Sequence, residues 1–473
     1  MTKKVVGIVV IVLALGAFIG SAVHINGIHK KYYEELSQKS VSDMKASVAS
    51  VLKPIFEAQG MSASYMLRSI EELDLSIETS PYESGFLHSN GKWVVSFPQS
   101  NIAFDIDLVF SNIPFTSSKF YVSSTHSDIK ERFADGQIGV IELDSGSLAL
   151  RLNDMMIHER NNLEIKGLSL VLHITTDYGV KGVVFSLPEA SYSDTYSHWR
   201  IKDVVAEDKY DTPITYEELI SIIGKGTLFS QKNTIHLKAL EFGDDDVEVR
   251  FEKFGLTNKT KASNDLYETS ADFTLKSFAI DNKSEYEKFK LDIADFSSKL
   301  EIQNMHKDTI GFLASIVGPF YLSNFHELQQ RRQTILGSNP KFSIKDSSFL
   351  LNDKKITYVA DGQFSLENIE LNLAVSSKYS IEELLERYKD DGNFEDFIDN
   401  VGTYFIKQPD SKQYGVKLQY TQTPNTEAFK VNDQVIFSDE YNIDIDDDTD
   451  FSESDESQDL QDLEEYLDKQ TQY

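Results

Sequence analysis

The stretch Ile369-Glu-Leu-Asn-Leu-Ala-Val375 decides the fold class, because apolar residues with branched side chains occupy every second position. Successive side chains of a β-strand point to opposite faces, so this period gives the strand one apolar face and one face turned to water. The same period recurs at residues 104–108, 168–174, 247–251 and 416–420. One-sided strands are typical of antiparallel sheets. We therefore predict an α+β fold, mainly antiparallel β, with one or more large curved sheets and a few helices.

Two capping-box sequences predict short helices between these strands. Thr215 and Ser380 are each followed three residues later by a glutamate, Glu218 and Glu383, and then by leucine. A hydroxyl and a carboxylate at this spacing satisfy two backbone N–H groups where a helix begins. The likeness of the segments leaves two interpretations open. The body has two related halves with a boundary near residues 225–235, or the two capping boxes are independent.

An uncharged apolar run of 19 residues, 5–23, follows Lys3 and Lys4. As a helix it is about 28 Å long, which nearly matches a hydrocarbon core of about 30 Å. We predict a cytoplasmic stub at 1–4, a single-pass anchor at 5–25 and an exported remainder, following the positive-inside rule. Gly20 and Ala22 leave a cleaved signal peptide as the alternative, although the run is longer than a usual signal-peptide core.

The exported remainder divides into three predicted parts. A membrane-proximal helix falls within 26–56, because apolar residues recur there at helical spacing. Residues 57–437 form the β-rich domain. Residues 438–473 contain fifteen acidic side chains and one lysine, so we predict a disordered acidic tail.

The overall composition excludes several classes of protein. The chain of 473 residues has 46 basic and 76 acidic side chains, a net charge of −30, and no cysteine. The absence of cysteine excludes disulfides, cysteine-ligated metals, a cysteine nucleophile and a lipoprotein anchor. An electrostatic nucleic-acid binder is not expected, since few cations are present to neutralise phosphates.

No motif assigns a catalytic residue, a metal ligand or a cofactor site. The acidic run 444–455 resembles a calcium-binding loop, but Thr449 stands where the tight turn needs glycine and Asp455 where the bidentate glutamate belongs. The histidines form no HExxH motif, and neither a GxSxG pentapeptide nor a phosphate-binding loop occurs. We therefore predict no cofactor, and an enzyme with an unrecognised site stays an alternative.

Three short motifs, taken in order, resemble the YdgA-like family of bacterial envelope proteins anchored in the inner membrane. The first is Tyr82-Glu-Ser-Gly-Phe-Leu-His-Ser89, which is similar to an early strand element of that family. The second is the segment 108–115, which keeps only the proline of a His-Gly-Pro turn. The third is a closing hairpin that ends in Asn432-Asp433 where the family has Asn-Gly. The matching residues, which we expect to be structural, are Tyr82, Gly85, Phe86, Ser89, Pro114 and Asn432. Among them we expect Tyr82 and Phe86 to contact the core and Gly85 to form a bulge or tight bend.

The resemblance implies a single-pass protein of the bacterial inner membrane with its body in the periplasm, and it implies no reaction. The leading hypothesis is a non-enzymatic binding or scaffolding module for a lipid or another apolar envelope component. A curled sheet with an apolar lining would hold such a molecule. Alternatively, the apolar faces pack on each other and leave no groove. Another hypothesis is a structural or adhesive protein that binds an envelope partner at an exposed sheet edge.

Overall fold

A computed structural model describes residues 29–37, 45–46, 74–111, 116–144, 146–158, 162–177, 179–215, 218–219, 229–284, 289–307, 309, 333–388, 402–408 and 411–440. They form one 22-stranded sheet in which neighbouring strands pair antiparallel. The predicted mainly antiparallel fold with few helices is thus confirmed. The predicted anchor at 5–25 lies outside the described residues, as does the tail from residue 441.

The strands lengthen towards the middle of the chain. The first nine are β1 Ser76–Thr79, β2 His88–Phe97, β3 Ile102–Ser111, β4 Ser118–Ser123, β5 Gln137–Leu143, β6 Ser147–Leu152, β7 Met155–Ile157, β8 Asn162–Lys166 and β9 Ser169–Ile174. The next nine are β10 Val180–Ser193, β11 His198–Ile214, β12 Gln231–Gly243, β13 Val247–Ser263, β14 Leu266–Asn282, β15 Phe289–His306, β16 Lys341–Leu351, β17 Lys354–Phe364 and β18 Ile369–Ser377. The last four are β19 Ile406–Lys407, β20 Tyr414–Gln422, β21 Thr426–Val431 and β22 Gln434–Glu440.

Strands that follow one another in sequence are mostly neighbours in the sheet. This holds from β1 to β6 and from β10 to β18, and β9 joins the two runs by pairing with both β6 and β10. β8 pairs with the rest of β10, and β7 pairs with β8. After β18 the sheet continues through β20, β21 and β22, and β19 also pairs with β20. β11 and β12, which pair with each other, lie on the two sides of residues 220–228, which are outside the described part of the chain.

The helices whose bounds are described are short: α1 His29–Ser37, α2 Ser127–Arg132 and α3 Ile381–Leu384, with 3-10 turns at Pro98–Ser100, Ala134–Gly136 and Glu386–Tyr388. Helical residues also occur at 45–46, 218–219, 309, 333–337 and 402. Both predicted capping boxes are confirmed: the amide of Thr215 donates to Glu218 Oε2 at 2.7 Å, and that of Ser380 donates to Glu383 Oε2 at 2.8 Å. Among the described residues, no helix combines the length and apolar character needed to cross a bilayer.

The largest packed core lies at the N-terminal end of the sheet. Alternate side chains of β2 to β6 are buried on one face, where α1 contributes Tyr33 and α2 contributes Ile129. Gly91 makes room for α1, because a Cβ there would lie 2.4 Å from the Tyr33 ring. The Tyr33 hydroxyl donates to the Ser80 carbonyl at 2.6 Å, which fixes α1 against the sheet. In this part of the molecule the apolar side chains of β2 to β6 pack against one another and against Tyr33 and Ile129.

The C-terminal hairpin follows the predicted motif and extends beyond it. Asn432 and Asp433 have φ values of 49° and 65°, the signs of a type I′ turn, between paired residues of β21 and β22. β22 ends at Glu440. Residues 438–440, which the sequence assigned to the tail, are therefore strand residues, held by backbone pairing with β21 that charge composition does not reveal.

Replacing Asp433 with glycine should raise the free energy of unfolding by about 0.5–1 kcal/mol, because glycine takes positive φ without the steric cost of a Cβ. Urea denaturation of the two proteins measures the difference. Asp433→Ala is the matched control, and it should lower stability at the same position. A glycine variant no more stable than the parent would contradict the turn assignment.

Candidate functional site

The long strands β10 to β15 carry rows of apolar residues that run across the sheet from strand to strand. In the row nearest the 194–197 and 243–247 turns, Trp199, Phe242 and Val249 are directly paired. The next row along the strands consists of Ala190, Ile201, Leu240, Phe251, Phe278 and Ile293. The Phe251 ring lies 4.7 Å from that of Phe278 and 6.3 Å from that of Phe242, so these rows share one face.

A third apolar row follows after an interval of three residues instead of two. It consists of Leu187, Val204, Leu237, Phe254, Leu275 and Phe296. In a regular strand an interval of three would turn this row to the opposite face. In β11, β13 and β15 a residue with positive φ stands inside the interval: Asp203 at 50°, Lys253 at 52° and Asp295 at 48°. Such an irregularity changes the alternation of side chains and increases the local twist.

Ring contacts place the second and third rows on one surface, although the irregular interval separates them. The Tyr358 ring of β17 lies 6.3 Å from Phe349, on the second row's side of the interval, and 6.3 Å from Phe296, which belongs to the third row. Leu291 and Leu351 pack in the same cluster as Phe349. We call this surface of β10 to β17 the apolar face.

The apolar face differs from the N-terminal core in its burial. Most of its side chains are partly exposed, and Phe242 is 41% exposed. At one corner α3 covers it, since Leu384, Leu385 and Phe405 are buried against β16 to β20. Beside the 194–197 and 243–247 turns, a cleft of about 530 Å³ opens over Trp199 and Phe242. The middle of the sheet thus keeps an apolar surface that the described residues only partly cover.

The opposite face of the same strands is polar and paired. Arg200 contacts Glu189 at 2.5 Å, Lys238 contacts Asp203 at 2.9 Å and Lys276 contacts Asp295 at 2.5 Å. Exposed pairs of this kind add little to stability. The sheet thus has one solvent-exposed polar face and one apolar face, as the alternation of the sequence predicts.

The apolar face ends in a polar cluster at the ends of β11, β12 and β13. Tyr210 pairs with Gln231, which pairs with Thr260; in the next row Asp208 pairs with Asn233, which pairs with Asn258. The Asn233 amide donates to Asp208 Oδ1 at 2.7 Å, and the Thr260 hydroxyl lies 3.2 Å from that of Thr269. We call these six residues the polar end: Asp208, Tyr210, Gln231, Asn233, Asn258 and Thr260.

Two acceptors of the polar end have no hydrogen-bond donor among the residues that the structure describes. Gln231 is only 8% exposed, and its Oε1 atom is buried with no partner among the described residues. The Oδ1 atom of Asn258 is likewise buried and unpaired within the described part of the chain. A buried acceptor without a donor costs free energy, so each such group calls for a ligand or another explanation.

Burial also changes the titration of the polar end. Desolvation raises the pKa of the Asp208 carboxyl, although the hydrogen bond from Asn233 opposes the change. Desolvation, aided by the charge of Asp208, raises the pKa of Tyr210 to about 12. Tyr210 therefore stays protonated at neutral pH. The cluster presents carbonyl and carboxylate acceptors in a region of low dielectric constant.

The motif residues at the N-terminal end make packing and turn contacts where the structure describes them. Tyr82 packs on the core, with its ring 5.5 Å from Tyr33 and 5.8 Å from Phe110. Gly85 lies in a tight bend where a Cβ would meet the His88 carbonyl oxygen at 1.9 Å, and its amide donates to the buried Ser89 hydroxyl at 3.3 Å. These positions agree with the predicted core and turn roles.

The other three motif residues are Phe86, Pro114 and Asn432. Phe86 was expected to contact the core, but it is 94% exposed, because it sits at the tip of the bend that Gly85 makes. That expectation was wrong. Pro114 lies outside the described residues. Asn432 joins two segments: its amide donates to the Tyr404 carbonyl at 2.6 Å, and its Oδ1 accepts from the Lys417 amide at 2.9 Å.

None of the motif residues belongs to the polar end or the apolar face. The sequence did contain a signal for the polar end. The apolar period through Val204 and Ala206 continues onto Asp208, and the period through Leu237 and Ile235 continues onto Asn233 and Gln231. Polar residues thus stand at positions where the alternation predicts apolar ones. Across the described ranges, no group of three His, Asp or Glu side chains is placed to hold a metal ion.

Comparisons of the chain with known protein families, with curated proteins and with solved structures find no match.

Proposed function

We propose that the chain is an envelope protein, anchored in the bacterial inner membrane, that binds a lipid or another apolar envelope molecule along the apolar face. The continuity of that face carries the proposal. Its rows extend over six neighbouring strands, yet most of its residues are only partly buried. Contiguous apolar surface of this kind is typical of a binding site in a soluble domain.

The contrast with the N-terminal core supports a binding role for the apolar face. There, Phe104, Phe110 and Val122 are fully buried beneath helices. In the middle of the sheet the same kind of surface has no such cover among the described residues, apart from the corner under α3. The proposed role is non-enzymatic, since it uses shape and apolar contact and no reacting group. The membrane anchor at 5–25 remains a prediction from the sequence.

Photo-crosslinking of the full-length chain in native membranes tests the proposal. A benzophenone amino acid at Phe242, 41% exposed on the apolar face, should cross-link to lipid, which mass spectrometry of the adduct identifies. The matched control is Val359, 50% exposed on the opposite face, which should give no lipid adduct. Equal lipid labelling at both positions would refute a specific binding face.

A second candidate function, partner binding at a sheet edge, is favoured by β22. Among the described strands β22 pairs with β21 alone, and it exposes Val435, Ile436 and Phe437 by 56%, 49% and 46%. A free edge with apolar side chains can accept another strand. Benzophenone at Ile436 in the same experiment distinguishes the two functions. A protein adduct there, without lipid at Phe242, would favour the edge.

A further inference from the structure

We propose that the polar end is a head-group site, and that the molecule lying on the apolar face is an amphiphile whose head donates hydrogen bonds. This inference rests on the proposed function of the apolar face and names the chemical class of its ligand. Asp208, Gln231 and Asn258 would receive the head, and the apolar rows would receive the tail.

The position of the polar end supports this assignment. Tyr210 packs in one cluster with Val180 and Val183, and Val183 is paired directly with Asp208. Along β11 and β12 the same alternation that leads to Asp208 and Gln231 begins at the apolar row of Val204 and Leu237. One surface therefore leads from apolar rows to a polar cluster, which is the pattern of an amphiphile.

The unpaired atoms decide which head fits. Gln231 Oε1 is an acceptor on a side chain that is 92% buried, and it has no donor within the described residues. Asp208 adds an acceptor carboxylate, and Asn258 has a second buried acceptor without a partner in the described chain. A hydroxyl or ammonium head supplies the missing donors. A carboxylate or phosphate head would place negative charge beside Asp208 and leave the acceptors unpaired.

Photoactivatable derivatives of three lipids, which share one chain length and differ in the head group, test the inference on the full-length protein in membranes. The lipids are monooleoylglycerol, oleylamine and oleic acid. The readout is the labelling of β12 and β13 peptides, compared between variants. Since each probe enters the membrane equally for every variant, the ratio between variants reports the contribution of the protein alone. In Gln231→Leu/Asn258→Leu, labelling by the glycerol and amine probes should fall about tenfold, and labelling by oleic acid should not fall.

Two further variants complete the experiment: one is a control, and the other distinguishes an ammonium head from a polyol head. Gln363→Leu removes an amide of the same type from the opposite face of β17, and it should leave all three probes unchanged. Asp208→Asn should reduce labelling by oleylamine more than by monooleoylglycerol if the head is an ammonium group, and should affect both alike if it is a polyol. A melting curve confirms folding, because replacing unpaired buried acceptors with leucine should raise Tm.

The possible failures are distinct. If all three probes label the apolar face equally in the parent and in the double variant, the head-group site is refuted and the proposed function stands. If no probe labels the apolar face of the parent protein, both are refuted. Loss of labelling by oleic acid together with the other two, in a variant whose Tm is not lowered, would also refute head recognition at these residues.

Discussion

Replacing Phe110 with alanine should lower the free energy of unfolding of the N-terminal core by about 3–5 kcal/mol. Phe110 is fully buried, and its ring lies 5.6 Å from Phe120 and 5.8 Å from Tyr82. Truncation leaves a cavity beside the rings of Tyr82 and Phe120. The lost transfer free energy and the cavity both contribute to the cost.

Urea denaturation followed by tryptophan fluorescence measures this effect. Trp93 is 1% exposed in the same core, and a Trp199→Phe background removes the other tryptophan from the signal. The matched control is Phe242→Ala on the apolar face, where the ring is 41% exposed, with its unfolding followed by far-UV circular dichroism. That change should cost less than about 1 kcal/mol, since little packing is lost. Equal costs at the two positions would mean that the apolar face is a core like that of the N-terminal end.

Replacing Phe251 with glutamate should reduce lipid cross-linking at Phe242 by about tenfold to a hundredfold, because an apolar chain on the face would meet a desolvated charge. Phe251 stands in the middle of the apolar rows and contacts both Phe242 and Phe278. The measurement is the yield of lipid adduct from benzophenone at position 242, in membranes containing equal amounts of each protein.

Val359→Glu provides the control for this charge. Val359 is 50% exposed on the opposite face, so a glutamate there adds the same charge to the sheet without entering the apolar rows. Its adduct yield should equal that of the parent. The N-terminal unfolding transition, read from Trp93, should be unchanged in both variants. If Phe251→Glu keeps the full adduct yield with that transition intact, the lipid does not lie across these rows.

Much of the architecture was predictable from residue period alone. The strands at 104–108, 247–251 and 369–375 all lie where the alternation predicts them, and both capping boxes form. Local signals suffice here because side-chain direction in a strand alternates with a fixed period of two, and a cap needs only residues three apart. Gly85 and Asn432 were likewise assignable, since turn chemistry is local.

The candidate site was not predictable in the same way. The interval of three between Phe251 and Phe254 reads as an interruption of the period when one strand is taken alone. Its structural effect depends on the register of the strands. The pairing of Ile201 with Leu240, and of Leu240 with Phe251, places the irregular intervals of β11, β12 and β13 next to one another in the sheet. For Phe86, the sequence led to a wrong prediction of burial. Its apolar character predicted burial, but the bend at Gly85 turns it into solvent.

The sequence by itself determined a mainly antiparallel β fold, because apolar residues at every second position leave a chain one face to bury. Which apolar faces are buried was decided only by the tertiary structure. α1 and α2 cover β2 to β6, whereas the described residues leave β10 to β15 partly open. The polar end also exists only in three dimensions. Asp208, Asn233 and Asn258 are far apart in the chain, and backbone pairing between β11, β12 and β13 places them side by side.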